Sequence, residues 1–232
     1  MELIPSSDAS LLVRFGRTID PATHQRALAL FRALAARHDP RVTNLHPAYA
    51  SLLIDFDPLA LDHAALGTLI EGLESGEPAH ENPPPVHEIP VCYDQELAPD
   101  LMEVCGLTGL TAEQLIEAHT APEYLVYFLG FSPGFAYLGG LAPKLAVPRL
   151  ASPRKVVPAG SVAIGGAQTG VYPLASPGGW RIIGRTPLAL FFPENPVHPT
   201  LLQPGDRVRF TRLHRQQFDA ALVDRTPGEQ HA

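Results

Sequence analysis

Apolar positions recur with two different periods along the chain, and turn residues separate the segments. Ser10–Gly16 (SLLVRFG) is a short apolar run closed by glycine and predicts a strand. Asp20-Pro21 sets a good N-cap residue before a proline suited to the first helical position. It predicts a helix to about Arg37, with Leu28, Phe31, Leu34 and Ala35 on the buried stripe. Val42–Leu45 and Tyr49–Phe56 predict strands on either side of a turn at His46-Pro47. Asp57-Pro58 repeats the helix-start signal before a helix to about Leu73, and the alternating Val86–Val91 predicts a further strand. The resulting β-α-β-β-α-β order is the split βαβ, ferredoxin-like arrangement, in which two helices cover one face of a small sheet.

The acidic, Pro-rich stretch Glu74–Pro85 (ESGEPAHENPPP) reads as a solvated connection. Two short helices are predicted beyond it, Pro99–Cys105 and Thr111–Ala118, the second opened by a capping box of Thr111 and Gln114. After Glu123 the pattern changes. Eleven of the 19 glycines fall between Gly130 and Gly184, and short apolar runs (YLVYFL, SVAIG, GVYPL, WRIIG, LALFF, DRVRF) alternate with turn signals. That rhythm predicts a barrel or sandwich of short strands. The expected organisation is an α+β ferredoxin-like domain over residues 1–85 and a mostly-β domain over residues 86–232, with a loose tail from Asp224.

A net charge of -7 argues against a nucleic-acid binder, and no apolar run is long enough to cross a bilayer. With no basic, apolar leader and only Cys92 and Cys105, a cytoplasmic protein without disulfides is expected. The charge distribution says more than its sum. Tyr124–Pro193 contains no Asp or Glu but carries Lys144, Arg149, Arg154, Lys155, Arg181 and Arg185, so a local anion site is expected there.

Gly130-Phe131-Ser132-Pro133-Gly134 fits the G-x-S-x-G pattern of a nucleophile elbow. The residue after that serine must give a backbone N–H to the oxyanion, and Pro133 has none, so Ser132 is rejected as a nucleophile. Neither Lys144 nor Lys155 stands in a phosphate-loop pattern, and the ten histidines show no metal-binding spacing, so no metal ligand set is assigned. His119 is singled out because it ends a predicted helix just before the chain enters the β-rich half. The densest segment is Ser152–Pro187, where prolines fix the backbone and glycines permit close approach. Arg154 and Lys155 are adjacent, with Gln168, Tyr172, Ser176 and Trp180 following. The pattern admits two readings, an anion site and ordinary barrel-corner chemistry with surface charge.

The motif GFSPGFAYLGGL, followed by PRKVVPAGSVAIGGAQTGVYPLASPGGWRIIGRTP, resembles the allophanate hydrolase subunit 1 family, whose bacterial members include the B-type subunit of 5-oxoprolinase and KipI-like kinase inhibitors. The likeness is strongest over about Pro90–Phe210. It implies a cyclophilin-like barrel in the C-terminal half. It also implies a share in the ATP-dependent opening of 5-oxo-L-proline to L-glutamate. The implied partners are a subunit 2 family protein (the C-type subunit of 5-oxoprolinase) and the enzyme's A-type subunit. ATP is implied to be shared between this chain and its partner, and the chain to be inactive alone. The alternative within the same resemblance is a protein that inhibits a sensor histidine kinase. On this basis Arg154 and Lys155 are the candidates for holding phosphate or carboxylate. His119, Phe135, Gln168, Tyr172, Ser176, Gly178, Gly179 and Trp180 are the candidates for surrounding the substrate.

Overall fold

In the computed structural model, which describes residues 1–74 and 84–223, the Asp20 carboxylate accepts the backbone N–H of Thr23 at 2.9 Å and opens α1 (Pro21–Arg37). This helix belongs to the first of two compact units, Met1–Pro84 and Pro85–Ala232. The unit also contains β1 (Glu2–Ser7), β2 (Ser10–Arg14), β3 (Val42–Pro47), β4 (Ser51–Phe56) and α2 (His63–Glu74). The strands form an antiparallel sheet in the order β1-β2-β4-β3. Alternation in β2 and β4 turns Leu11, Val13, Leu52, Ile54 and Phe56 to one face, where Leu30 and Leu34 of α1 and Leu66 and Ile70 of α2 cover them.

Two sequence expectations are corrected here. The second helix starts after Asp62, whose side chain accepts the Ala65 N–H at 2.7 Å, and Asp57-Pro58 lies in turns before it. The expected fourth strand of the ferredoxin-like order, Val86–Val91, is not in this sheet, and the edge beside β2 is taken by β1, a strand the apolar pattern did not reveal. Burial explains the omission: β1 (ELIPSS) has no fully buried residue and no clean alternation. The connection at 75–83 and the tail at 224–232 lie outside the described residues.

The second unit starts with β5 (Val86–Val91), followed by α3 (Leu101–Thr108), α4 (Ala112–Thr120), β6 (Glu123–Leu129) and β7 (Ala136–Gly139). A single 3-10 turn, Pro143–Leu145, leads to β8 (Arg154–Val157), β9 (Ser161–Gly165), β10 (Gln168–Val171), β11 (Ser176–Gly178), β12 (Arg181–Arg185), β13 (Arg207–Arg212) and α5 (Arg215–Val223). Seven strands run in the order β12-β9-β10-β7-β6-β13-β5, with β5 parallel to β13 and the remaining pairs antiparallel. Cys92 and Arg185 then exchange backbone hydrogen bonds of 2.8 and 2.9 Å, which joins β12 to the chain just after β5 and nearly closes the sheet into a barrel. Closure removes most of the exposed sheet edge. β8 and β11 stand apart as a two-stranded ribbon.

One set of alternating side chains, including Ile89, Val126, Leu138, Val162, Ile164, Ile183 and Phe210, fills the barrel interior and continues into Leu101, Val104, Leu115 and Ile116 of α3 and α4. The predicted capping box holds: Gln114 N–H donates to Thr111 Oγ1 at 3.3 Å, and Thr111 N–H donates to Gln114 Oε1 at 3.0 Å. The expected strand LALFF makes only an isolated bridge, between Phe191 and Thr200, because prolines on both sides withhold ladder donors. Thr111→Ala removes the Oγ1 acceptor and with it the cap bond from the Gln114 N–H. It is expected to destabilise the C-terminal unit by about 1 kcal/mol and to lower its thermal midpoint by about 2–4 °C in calorimetry.

Candidate functional site

The opposite face of the barrel sheet supplies a second, smaller cluster: Phe135, Val157, Ala163, Tyr172, Trp180 and Ile182, with Tyr137 packed against it. Small residues make room for it. A β-carbon on Gly165 would stand 2.6 Å from the Trp180 ring, and one on Gly178 would stand 2.3 Å from the Tyr172 hydroxyl oxygen. Glycine at these two positions lets Trp180 lie on β9 and lets β11 pass over Tyr172. Phe135 meets Tyr172 and Trp180 edge to face at 5.2 and 5.6 Å, and Tyr137 meets Trp180 at 6.1 Å. The Arg149 guanidinium sits 5.6 Å from the centre of the Trp180 ring. Burial raises the Tyr172 phenol above its ordinary pKa, while the Trp180 backbone N–H that it accepts and the nearby Arg149 and Arg154 pull the other way.

The ribbon brings cations to this face. Arg154 lies opposite Gly178, and its Nη2 donates to Asp100 Oδ1 at 2.6 Å. The second carboxylate oxygen of Asp100 accepts the Ile182 N–H at 2.7 Å, so one buried carboxylate ties β8 and β12 to the start of α3. Arg181 is likewise matched by Glu103 and donates to the Pro148 carbonyl at 3.0 Å. The acid-free window is therefore opposed by acids from outside it, because sequence distance does not limit pairing in a folded barrel.

Lys155 is exposed, and as the next residue on β8 its side chain projects from the opposite face to that of Arg154. The expectation that these two adjacent cations converge on one anion is corrected by that strand geometry. Phe135, Tyr172, Gly178 and Trp180 do meet in one cluster. Gln168 starts β10 half-buried, and alternation puts it on the same face as Gly170 and Tyr172. Ser176 is paired across from Val157, with its hydroxyl buried and without a partner among the described residues. Gly179 accepts the Leu150 N–H at 2.7 Å through its carbonyl.

His119 is elsewhere. It is fully buried in the barrel interior, stacked on Phe210 at 4.5 Å, with Nδ1 2.9 Å from the Tyr93 hydroxyl and Nε2 3.0 Å from Thr169 Oγ1. It is not a substrate group on the outer face, and this corrects its sequence assignment: the end of α4 turns inward instead of toward the ribbon. Burial alone lowers its pKa to about 3, so it is neutral.

Sequence reading missed Asp100 and Phe131, and named Arg149 only among the cations of the acid-free window. The helix-start position of Asp100 was legible, but its pairing with Arg154 spans the fold. Phe131 is 61% exposed and has φ 70, at the rim of the cluster. Its loop joins β6 to β7 with no following helix, so Ser132 is not on a nucleophile elbow. Among the described residues no group of three or more His, Cys, Asp or Glu gathers into a metal site, and no helix is long and apolar enough to cross a membrane. For ATP, two cations of this face are already committed, Arg154 to Asp100 and Arg181 to Glu103. This donor set does not form a cradle for a triphosphate.

Comparison with known proteins connects this geometry to a family. The family described as carboxyltransferase domain, subdomain C and D, matches residues 1–202. The B-type 5-oxoprolinase subunit of Bacillus subtilis (strain 168) is 41% identical over 225 residues, covering 92% of this chain and 93% of that protein. The crystal structure of TTHA0988 superposes with a TM-score of 0.81 at 40% identity over 90% of this chain, which spans only 40% of that longer chain. Kluyveromyces lactis urea carboxylase shares the fold alone, with a TM-score of 0.73 at 19% identity, over 97% of this chain and 24% of its own.

The buried imidazole has a measurable consequence. Its pKa falls from 6.5 in the unfolded chain to about 3 in the fold, so the unfolded state binds the extra proton between these values. This contribution to stability is complete above pH 6.5 and is lost progressively as the pH drops toward 3. Chemical denaturation is expected to show a slope approaching about 1.4 kcal/mol per pH unit from this group. His119→Gln, less stable at pH 7, lacks that component.

Proposed function

Because the chain belongs to the family of B-type 5-oxoprolinase subunits, of carboxyltransferase-domain type, we propose that it serves as that component of an ATP-dependent 5-oxoprolinase, which opens 5-oxo-L-proline to L-glutamate. The observation that carries this reading is the 41% identity with the B. subtilis relative, which extends through both compact units and nearly the whole of that protein. Nothing in the fold or the comparisons favours the kinase-inhibitor reading over it.

The reaction sets a clear demand. A five-membered lactam is a resonance-stabilised amide with a poor leaving group, and coupling to ATP hydrolysis is what makes its opening fast. In this reading the lactam ring lies at the rim of the outer-face cluster that Tyr172 and Trp180 support from beneath, with Gln168 orienting its amide. Gly178 is closed against Tyr172, so the backbone approach falls to Gly179, where a β-carbon would meet nothing nearer than 3.7 Å. The lactam's carboxylate faces Arg149 and Arg154, where fixed guanidinium groups favour developing negative charge. Arg154 acts as part of an ion pair with Asp100, which holds its orientation. Lys155, on the far face of β8, has no part in the chemistry. ATP is placed on the partner proteins, since the cations of this chain do not suit it. The partners are the A-type subunit of the enzyme and a subunit 2 family protein, its C-type subunit. The compartment is the cytoplasm, and the cyclophilin-like assignment of the barrel belongs to the same reading.

Reconstitution tests it. The purified chain alone is expected to show no oxoproline-dependent ATPase, and mixing it with the A-type and C-type subunits is expected to restore it. Arg154→Ala in the complex is expected to lower activity at least about tenfold, the loss of a charge-assisted bond, while Lys155→Ala leaves it within about twofold. Full activity from the isolated chain, or from Arg154→Ala in an assembled complex, contradicts the reading.

A further inference from the structure

We propose that Phe131 is a substrate-contact residue whose ring forms one wall of the lactam site, an inference that rests on the 5-oxoprolinase reading above. Ser132 N–H donates to the Gly130 carbonyl at 2.9 Å across a three-residue turn centred on Phe131, whose φ is 70. Glycine adopts that conformation freely, whereas a bulky side chain is strained there. A second turn follows directly. Phe135 N–H donates to the Ser132 carbonyl at 3.0 Å, with proline at the second position and Gly134 (φ 78) at the third. Gly130 N–H closes the loop on the Phe135 carbonyl at 3.0 Å.

Burial does not compensate for this strain, because 61% of the residue stays exposed. Backbone and hydration both argue against phenylalanine at this position, and such local conflicts concentrate at functional sites. The ring's location says what it serves. It meets Phe135 edge to face at 5.5 Å and Tyr172 at 6.3 Å, so it extends the outer-face cluster into solvent. Tyr172 also feels the charges of Arg149 and Arg154. An exposed aromatic ring at the edge of a cluster whose Trp180 receives the Arg149 guanidinium fits a small flat ring bearing a carboxylate, as in a five-membered lactam acid.

The test compares Phe131→Gly and Phe131→Tyr in the reconstituted three-component enzyme. Phe131→Gly is expected to unfold at or above the wild-type midpoint and to co-purify normally with its partners. It is expected to raise KM for 5-oxoproline by about three- to tenfold with KM for ATP unchanged. Phe131→Tyr keeps the ring and is expected to stay within about twofold of wild type. An unshifted oxoproline KM in Phe131→Gly overturns the proposal. So does loss of assembly, which would mark a partner contact, or a lowered midpoint, which would mark a packing role. A wild-type complex without oxoproline-dependent ATPase overturns the 5-oxoprolinase reading itself, and this inference falls with it.

Discussion

The candidate site depends on one packing constraint: the Trp180 ring lies against the backbone of β9 because Gly165 carries no side chain there. A methyl group at Gly165 would stand inside the ring's contact distance, so the ring could not stay. With Trp180 fixed, its edge orients Phe135 and Tyr137, its face receives Arg149, and its backbone N–H reaches the Tyr172 phenol. The ribbon of β8 and β11 can then settle over Tyr172, again only because Gly178 offers no β-carbon. Glycine density in this half of the chain thus makes an aromatic surface possible on the outside of a barrel whose interior is already filled.

Asp100 is the electrostatic counterpart of that packing. Its two oxygens satisfy a backbone donor of β12 and the guanidinium of Arg154. Removing a buried carboxylate of this kind leaves its partners unsatisfied, which costs more than the pair contributes net. The pairing also changes the character of the site. A free arginine would attract any anion, whereas one held by a carboxylate is a directed donor with little net charge, suited to a small substrate and poorly suited to a triphosphate.

The barrel interior has a separate polar element that does no surface chemistry. His119, Tyr93 and Thr169 form a hydrogen-bonded chain among apolar side chains, linking the end of α4 to β10 and to the segment after β5. A buried polar network of this kind fixes register when every member is satisfied. The side of the sheet on which a residue falls, interior or exterior, therefore decides whether a polar group is structural or available.

The sequence by itself determined the local elements. Helix α1, the capping box of α4, the short-strand rhythm of the second unit and the residue types of the aromatic cluster were all legible, because caps, periodicity and turn chemistry act between neighbours. It also carried a family resemblance in the long Pro- and Gly-rich motifs. Only the tertiary structure decided which strand fills a sheet edge, as with β1 in place of Val86–Val91, and which face each candidate occupies, as with His119 turned inward and Lys155 turned away from Arg154. It alone matched Arg154 with Asp100, 54 residues away. The physical reason is the range of the interactions: backbone propensity is read within a turn or two, but pairing, burial and charge compensation depend on contacts that exist only once distant segments meet.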